Sequence, residues 1–231
     1  MTQAKPEPDF PRPICTVDVV LLTLKSDSLQ VLLHRRSKPP FADTLALPGG
    51  YVHVQEDATA WDTAARVLQA KVGIVSPYLE QLATYSGLER DPRGWSVSVV
   101  YYALVSLEHL PATAPDVVLA PVSRLPKLAF DHKNMIELAV SRLRSKSLYS
   151  SLPIYLCGER VTLPRLQAVY EAVLGEPINK VSFRRKMDEL NILEPIAGDL
   201  ESGGAHRPAQ VYRLKAAFKH QLSVVSRGIN T

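Results

Sequence analysis

The chain has 231 residues, long enough for two modest domains and longer than a typical single one. Hydrophobic residues make up 46% and charged residues 22%, which excludes bulk disorder and collagen-like order. Net charge is +4 but unevenly placed: residues 1–140 hold 13 Lys and Arg against 15 Asp and Glu, and residues 141–231 hold 14 against 8. A near-neutral first part joined to a basic second part predicts one module for something small and one for a polyanion. The longest apolar stretch, Val17 to Leu24, is too short for a membrane span and carries Asp18 and Thr23, so no membrane partner is expected. Cys15 and Cys157 lie far apart with no CxxC, as expected of buried thiols in a cytoplasmic protein. Residues 1–13 hold four prolines and no apolar signal core, and read as a flexible arm.

The first domain is expected over residues 14–146. Cys15 to Leu24 and Leu29 to His34 read as a β-hairpin around Ser26-Asp27-Ser28. Thr44 to Leu47 leads into the turn Pro48-Gly49-Gly50, and Tyr51 to Val54 reads as a short strand. A helix is predicted from Ala58 to Val72, with Trp61, Ala64, Leu68 and Val72 on one core-facing stripe. Asp57 or Thr59 can cap it and Gly73 ends it. Glu80 to Gly87 and Trp95 to Leu104 read as strands, Leu107 to Pro126 as mostly loop, and Asn134 to Lys146 as a helix.

The second domain is expected over residues 147–231. Ser151 to Cys157 reads as a short helix. Thr162 to Leu174 follows as a strong one, with Thr162 as cap, Pro164 in the first turn and Gly175 as stop. Asn179 to Leu190 is a further helix, with Phe183, Met187 and Leu190 inward and Lys180, Arg184, Arg185 and Lys186 outward. Ile192 to Ile196 and Gln210 to Lys215 read as a hairpin. Helix, helix, turn, helix, hairpin is the order of a winged helix-turn-helix. Its second helix would enter the major groove, where Lys180, Ser182, Arg184, Arg185 and Lys186 mix phosphate binders with a guanine reader. Thr162 joins this set from the preceding cap, and His206, Arg207 and Gln210 from the wing. A solvated basic face or a protein-docking winged helix is the plainer alternative.

In the first domain, Leu47-Pro48-Gly49-Gly50-Tyr51-Val52, Glu56, Ala64-Ala65-Arg66 and Gly73-Ile74 resemble the Nudix hydrolase motif. Gly50 and Glu56 match its first spacing, and Arg66 and Leu68 match when counted back from Gly73. The gap from Glu56 to Arg66 is two residues too long. The three helix glutamates of the family fall on Val67, Ala70 and Lys71, none of them acidic. The resemblance implies a Nudix-like α/β/α sandwich with a mixed sheet, and chemistry that depends on Mg²⁺. A hard cation needs several oxygen ligands, so the expectation here is a kept fold, no metal site and no catalytic residues.

Several residues can still serve a phosphorylated ligand. Arg35 and Arg36 at a strand end suit bidentate phosphate contact, unless they are only a solvated strand end. Gly49, Gly50 and Arg66 belong to the motif itself. Tyr51, Tyr101 and Tyr102 can stack on a base or fill the core. Asp131 and His132 can bond ribose hydroxyls, or cap the Asn134 helix, which the spacing favours. Lys71 shares a helix face with Val67 and Ala70 and can replace the lost metal charge, or simply point to solvent near the helix end.

A degenerate Nudix domain followed by a winged helix resembles the Nudix-related transcriptional regulators of NAD metabolism, the NrtR family. The likeness runs from about Ile14 to Lys215. It is carried in the second half by Ala129-Phe130-Asp131-His132, Thr162 to Glu171 and Phe183-Arg184-Arg185-Lys186. It implies an α+β chain acting as a homodimeric bacterial repressor on a palindromic DNA operator, with ADP-ribose or a related nucleotide as effector and no cofactor. Some members govern sugar catabolism, so the target genes do not follow. An active ADP-ribose pyrophosphatase with an appended winged helix is the competing expectation.

Overall fold

The computed structural model describes residues 12–76, 78–111, 116–201, 208–219 and 222–224. The expected arm at residues 1–13 lies almost wholly outside them, as do His206 and Arg207. The chain begins with β1 (Ile14–Lys25), β2 (Ser28–Arg35), β3 (Leu45–Ala46) and β4 (Gly49–Tyr51), then helix α1 (Ala60–Val72). Next come β5 (Tyr78–Gly87), β6 (Ser96–Leu104), β7 (Val117–Pro121) and helix α2 (His132–Ser147).

These seven strands form one mixed sheet. Its main order is β3-β2-β1-β6-β5, with β4 on β1 and β7 on β2. The β1–β6 ladder is parallel, and the hairpin β1–β2 turns at Ser26 and Asp27, both at positive φ. A β1 that is apolar along most of its length follows from burial on both faces. Val17, Val19 and Leu21 meet Ala64, Leu68 and Val72 of α1, while Val20, Leu22 and Leu24 belong to the cluster with Met135, Ile136 and Ala139 of α2. This is the α/β/α sandwich.

Two local expectations are corrected. Trp61 is 50% exposed; the buried residues of α1 are Thr63, Ala64, Val67, Leu68 and Val72, so the core-facing stripe is centred nearer Ala64 and Val67 and leaves the indole at its edge. The stretch from Leu107 to Pro126 is not mostly loop, because β7 pairs with β2 from Gln30–Pro121 to His34–Val117. Pro121 ends that ladder, where a residue without an N–H is tolerated. Of the two possible caps, Thr59 serves: its side chain accepts from the Asp62 amide, and Asp62 answers to the Thr59 amide at 2.8 Å.

The second half holds β8 (Val161–Thr162), α3 (Leu163–Leu174), α4 (Lys180–Leu190), β9 (Leu193–Glu201) and β10 (Ala209–Leu214). β8, β10 and β9 form a three-stranded sheet in that order, the wing of a winged helix. Thr162 caps α3, and Gly175 ends it in the left-handed region at φ 80°. Asn179 caps α4 by accepting from the Val181 and Ser182 amides at 3.0 and 3.1 Å. Leu166, Val169, Tyr170 and Val173 pack with Phe183, Met187 and Leu190.

The core does not stop between the halves. One buried cluster runs from Val20 and Leu22 through α2 and the 3-10 turn Leu152–Leu156 into α3 and α4. Tyr78 stacks on Tyr155 at 5.1 Å, and the Arg144 guanidinium donates to the Val173 carbonyl at 3.1 Å. Among the described residues no helix is long and apolar enough to cross a membrane.

Candidate nucleotide cleft and nucleic-acid interface

A cleft of about 500 Å³ opens in the first half. Strand β1 supplies Asp18, β2 supplies His34, and Arg36 follows the end of β2. Gly49, Gly50 and Tyr51 come from β4, and Arg66, Val67, Ala70 and Lys71 from α1. The β5–β6 connection adds Arg90, Asp91 and Arg93, and the approach to α2 adds Phe130 and His132. A Cβ on Gly49 would lie 2.0 Å from Asp18 Oδ1, so only glycine lets strand and carboxylate approach this closely.

The cations of the cleft differ in how far they are committed. Arg66 donates from Nε and Nη2 to Asp57 at 2.8 and 2.6 Å, and from Nη2 to the Tyr51 carbonyl at 3.0 Å. It therefore ties the Gly49–Asp57 segment to α1. Its guanidinium holds the Asp57 carboxyl well below the usual carboxylate range. Arg93 is held by Asp91 at 2.9 and 2.6 Å and bonds the Tyr51 hydroxyl. Arg36 donates to the Pro40 carbonyl at 2.9 Å and lies 4.9 Å over the Phe130 ring. Phe130 is itself at φ 52°, a costly conformation for an aromatic residue, and its ring also faces Arg93 at 6.0 Å. Planar guanidinium and aromatic groups thus make one wall. Lys71 lines the cleft beside Val67 and Ala70 and is exposed as a residue; partial desolvation of its ammonium there, then the charge of Arg36, lowers its pKa.

His132 is 3% exposed and opens α2. Its Nδ1 accepts from the Leu47 amide at 2.9 Å, which leaves the proton on Nε2, 3.6 Å from Asp18 Oδ1. Burial lowers its pKa, so the ring is neutral near pH 7.

In the second half, α4 presents Lys180, Arg184 and Arg185 to solvent, with Ser182 half-buried beside them. Val181, 77% exposed on the same helix, adds an apolar group of the kind that meets a thymine methyl.

A model of the NUDIX domain matches residues 15–138, and one of the NrtR DNA-binding winged helix domain matches residues 153–214. The ADPR responsive transcriptional repressor NtrR of Acinetobacter baylyi is 40% identical over 211 residues, 89% of this chain and 83% of that protein. The chain belongs to the NrtR family. Shewanella oneidensis NrtR in complex with a 27mer DNA superposes with a TM-score of 0.86 at 40% identity, over 93% of this chain and 98% of that one. The NUDIX domain of the same Shewanella protein, in complex with ADP ribose, matches 61% of this chain and 94% of that one at 40% identity and a TM-score of 0.54.

Within this NrtR frame the residues singled out from sequence divide. Arg36, Gly49, Gly50, Tyr51, Arg66, Lys71 and His132 all line the cleft. Arg35 is turned away, donating to the Asp43 carbonyl at 2.6 Å. Tyr101 is 6% exposed in the core beneath α1, and Tyr102 is buried on the other face of the sheet. Asp131 makes no cap bond; it grips Arg90 through two contacts of 3.1 Å and so fastens the β5–β6 connection to the start of α2.

On α4, Lys186 is 2% exposed, not outward as the spacing suggested, because it shares the inward face with Phe183, Met187 and Leu190. Thr162 is 5% exposed and engaged as a cap, and Gln210 donates to the Ile196 and Asp199 carbonyls, bracing the wing hairpin. Asp18, His34, Arg90, Asp91 and Arg93 were missed. The signals were present: a lone acid in an apolar strand needs a partner, and Arg90-Asp91-Pro92-Arg93 is a charged turn between strands.

Proposed function

We infer that this protein is a DNA-binding transcriptional repressor, controlled by ADP-ribose held in a Nudix domain that does not hydrolyse it. The observation that carries this reading is the cleft-lining face of α1. A Nudix hydrolase holds its cation there with carboxylates; here Val67, Ala70 and Lys71 present two apolar side chains and an ammonium. Glu56, the acid that remains from the motif, is paired with His53 at 3.1 Å and is not among the cleft-lining residues. Among the described residues no group of three or more His, Cys, Asp or Glu is arranged to hold a metal ion. This donor set does not fit a hard cation, which requires several oxygen ligands. No hydrolytic step is assigned to the cleft.

A diphosphate still finds positive charge from Lys71, Arg36 and Arg93, and a base finds the Tyr51 and Phe130 rings. The DNA half rests on α4, whose Arg184 and Arg185 suit guanine readout and phosphate contact. The assembly is a homodimer on a palindromic operator in the cytoplasm, and the regulated genes are those of NAD biosynthesis or salvage.

A gel shift on the DNA upstream of the protein's own gene, with and without ADP-ribose, tests the reading. A sequence-specific complex whose affinity changes with ADP-ribose is expected. Absence of a complex, or one indifferent to the nucleotide, overturns it. Turnover of ADP-ribose near 1 s⁻¹ with Mg²⁺, about the low end for enzymes, overturns the non-catalytic part.

A further inference from the structure

The cleft is mostly cationic, and the acids among its lining residues are Asp18 and Asp91. Asp91 is committed to Arg93. Asp18 is not committed in this way. It sits within an apolar strand, 8% exposed, and a buried carboxylate is costly unless both oxygens find donors. Ser98 Oγ donates to Oδ2 at 2.6 Å. Oδ1 faces Nε2 of His132 at 3.6 Å, which is outside hydrogen-bond range. The backbone is shaped around this second oxygen, since any side chain at Gly49 would collide with it.

We propose that Asp18 is the specificity-determining acceptor of the cleft: Oδ1 takes a hydrogen bond from a hydroxyl of the terminal ribose of ADP-ribose. The cleft thereby selects a diphosphate that continues into a sugar over one that ends in phosphate. This rests on the ADP-ribose reading above and adds the group that reads the sugar. The direction of binding follows from the two ends of the cleft. The Arg93 and Tyr51 pair stands at the open side, where Tyr51 is 49% exposed, and suits the planar base. Asp18, 8% exposed and facing the 3% exposed His132, lies at the more buried side, where a sugar hydroxyl can reach Oδ1. Arg36 and Lys71 line the same cleft as Asp18, so cations for the diphosphate and an acceptor for a hydroxyl share one site. A phosphate oxygen set against Oδ1 would meet a like charge, whereas a hydroxyl supplies the missing donor. Both effects favour the sugar, one by attraction and one by repulsion.

Calorimetry of the full chain with ADP-ribose and with ADP tests this, using wild type, Asp18→Asn and Ser98→Ala. Wild type is expected to prefer ADP-ribose. Asp18→Asn should lower ADP-ribose affinity at least roughly tenfold and leave ADP unchanged or tighter, as loss of a charge-assisted acceptor requires. Ser98→Ala, which removes the donor that aims the carboxylate, should move the preference the same way by less. Asp18→Asn with unchanged ADP-ribose affinity, or with equal loss for both ligands, overturns the role of Asp18 and leaves the ADP-ribose reading standing. Failure of wild type to bind ADP-ribose overturns that reading and this inference together. Thermal unfolding of each variant reports folding; if Asp18→Asn does not fold, an unchanged preference in Ser98→Ala overturns the proposal.

Discussion

Lys71 shows how one side chain can change the use of a fold. It lines the cleft beside Val67 and Ala70, and under the function proposed above its ammonium would supply positive charge to the diphosphate in place of a metal ion. Lys71→Glu should weaken metal-free ADP-ribose binding by roughly 1–3 kcal/mol, and Mg²⁺ should restore part of it. Calorimetry in EDTA and then in Mg²⁺ measures both effects; unchanged metal-free affinity would leave Lys71 without a part in binding. Asp57 and Arg66 make a different kind of contribution, the fastening of the end of β4 and the turn after it to α1. The Asp57 carboxyl is held well below its usual range, so the stability that the pair adds is present above about pH 4, the unfolded value. It is lost as the pH falls toward the folded value. Asp57→Asn should therefore lower the thermal midpoint clearly at pH 7, and the gap to wild type should narrow at pH 3.

At the scale of the element, α4 separates reading from folding. Arg184 and Arg185 are exposed, and Lys186 shares the buried face with Phe183 and Met187. Arg185→Ala should weaken specific DNA binding by about 1–3 kcal/mol and relax preference at one base pair, measured by titration against single-substitution operators. Lys186→Ala should instead lower stability by about 1–3 kcal/mol through lost packing of its stem, and leave the salt dependence of DNA binding of the folded protein unchanged. A lower salt slope with unchanged unfolding would place Lys186 at the DNA after all. Helix α2 spans the other distinction. His132 at its start faces Asp18, and Lys146 near its end reaches Glu80 at 2.5 Å while Arg144 bonds α3.

For the whole molecule, the continuous core from β1 through α2 to α4 means that the two halves are packed as neighbours and not merely tethered. The salt bridge of Arg165 in α3 with Asp27 in the β1–β2 turn, at 2.6 Å, crosses the same seam at the surface. A two-fold pair of such chains would present its α4 helices at a fixed separation of whole DNA turns. Binding should therefore require a palindrome, and moving the half-sites by about half a turn should abolish it. Equal binding to the shifted operator, in a gel shift with protein of known oligomeric state, would rule out the symmetric arrangement.

The amino-acid sequence by itself determined the order of the two halves, the cap and stop of α3, the stop of α1, and the absence of acids at Val67, Ala70 and Lys71. These depend on spacing within one turn or one helix, where a residue's neighbours are known from its number. The cleft was legible as far as its motif reached: Gly49, Gly50, Arg66 and Lys71 stand together because β4 and α1 are adjacent in the chain. Only the tertiary structure decided that Asp18 and His132 meet, that Arg90 and Asp131 pair, that Tyr101 belongs to the core, and that Lys186 turns inward. Strands β1 and β6 and the start of α2 come from distant parts of the chain, and which oxygen faces which nitrogen is set by how the sheet twists and where each helix is packed on it. Composition and periodicity tell which side of an element is buried, but not what waits on the other side of the space it faces.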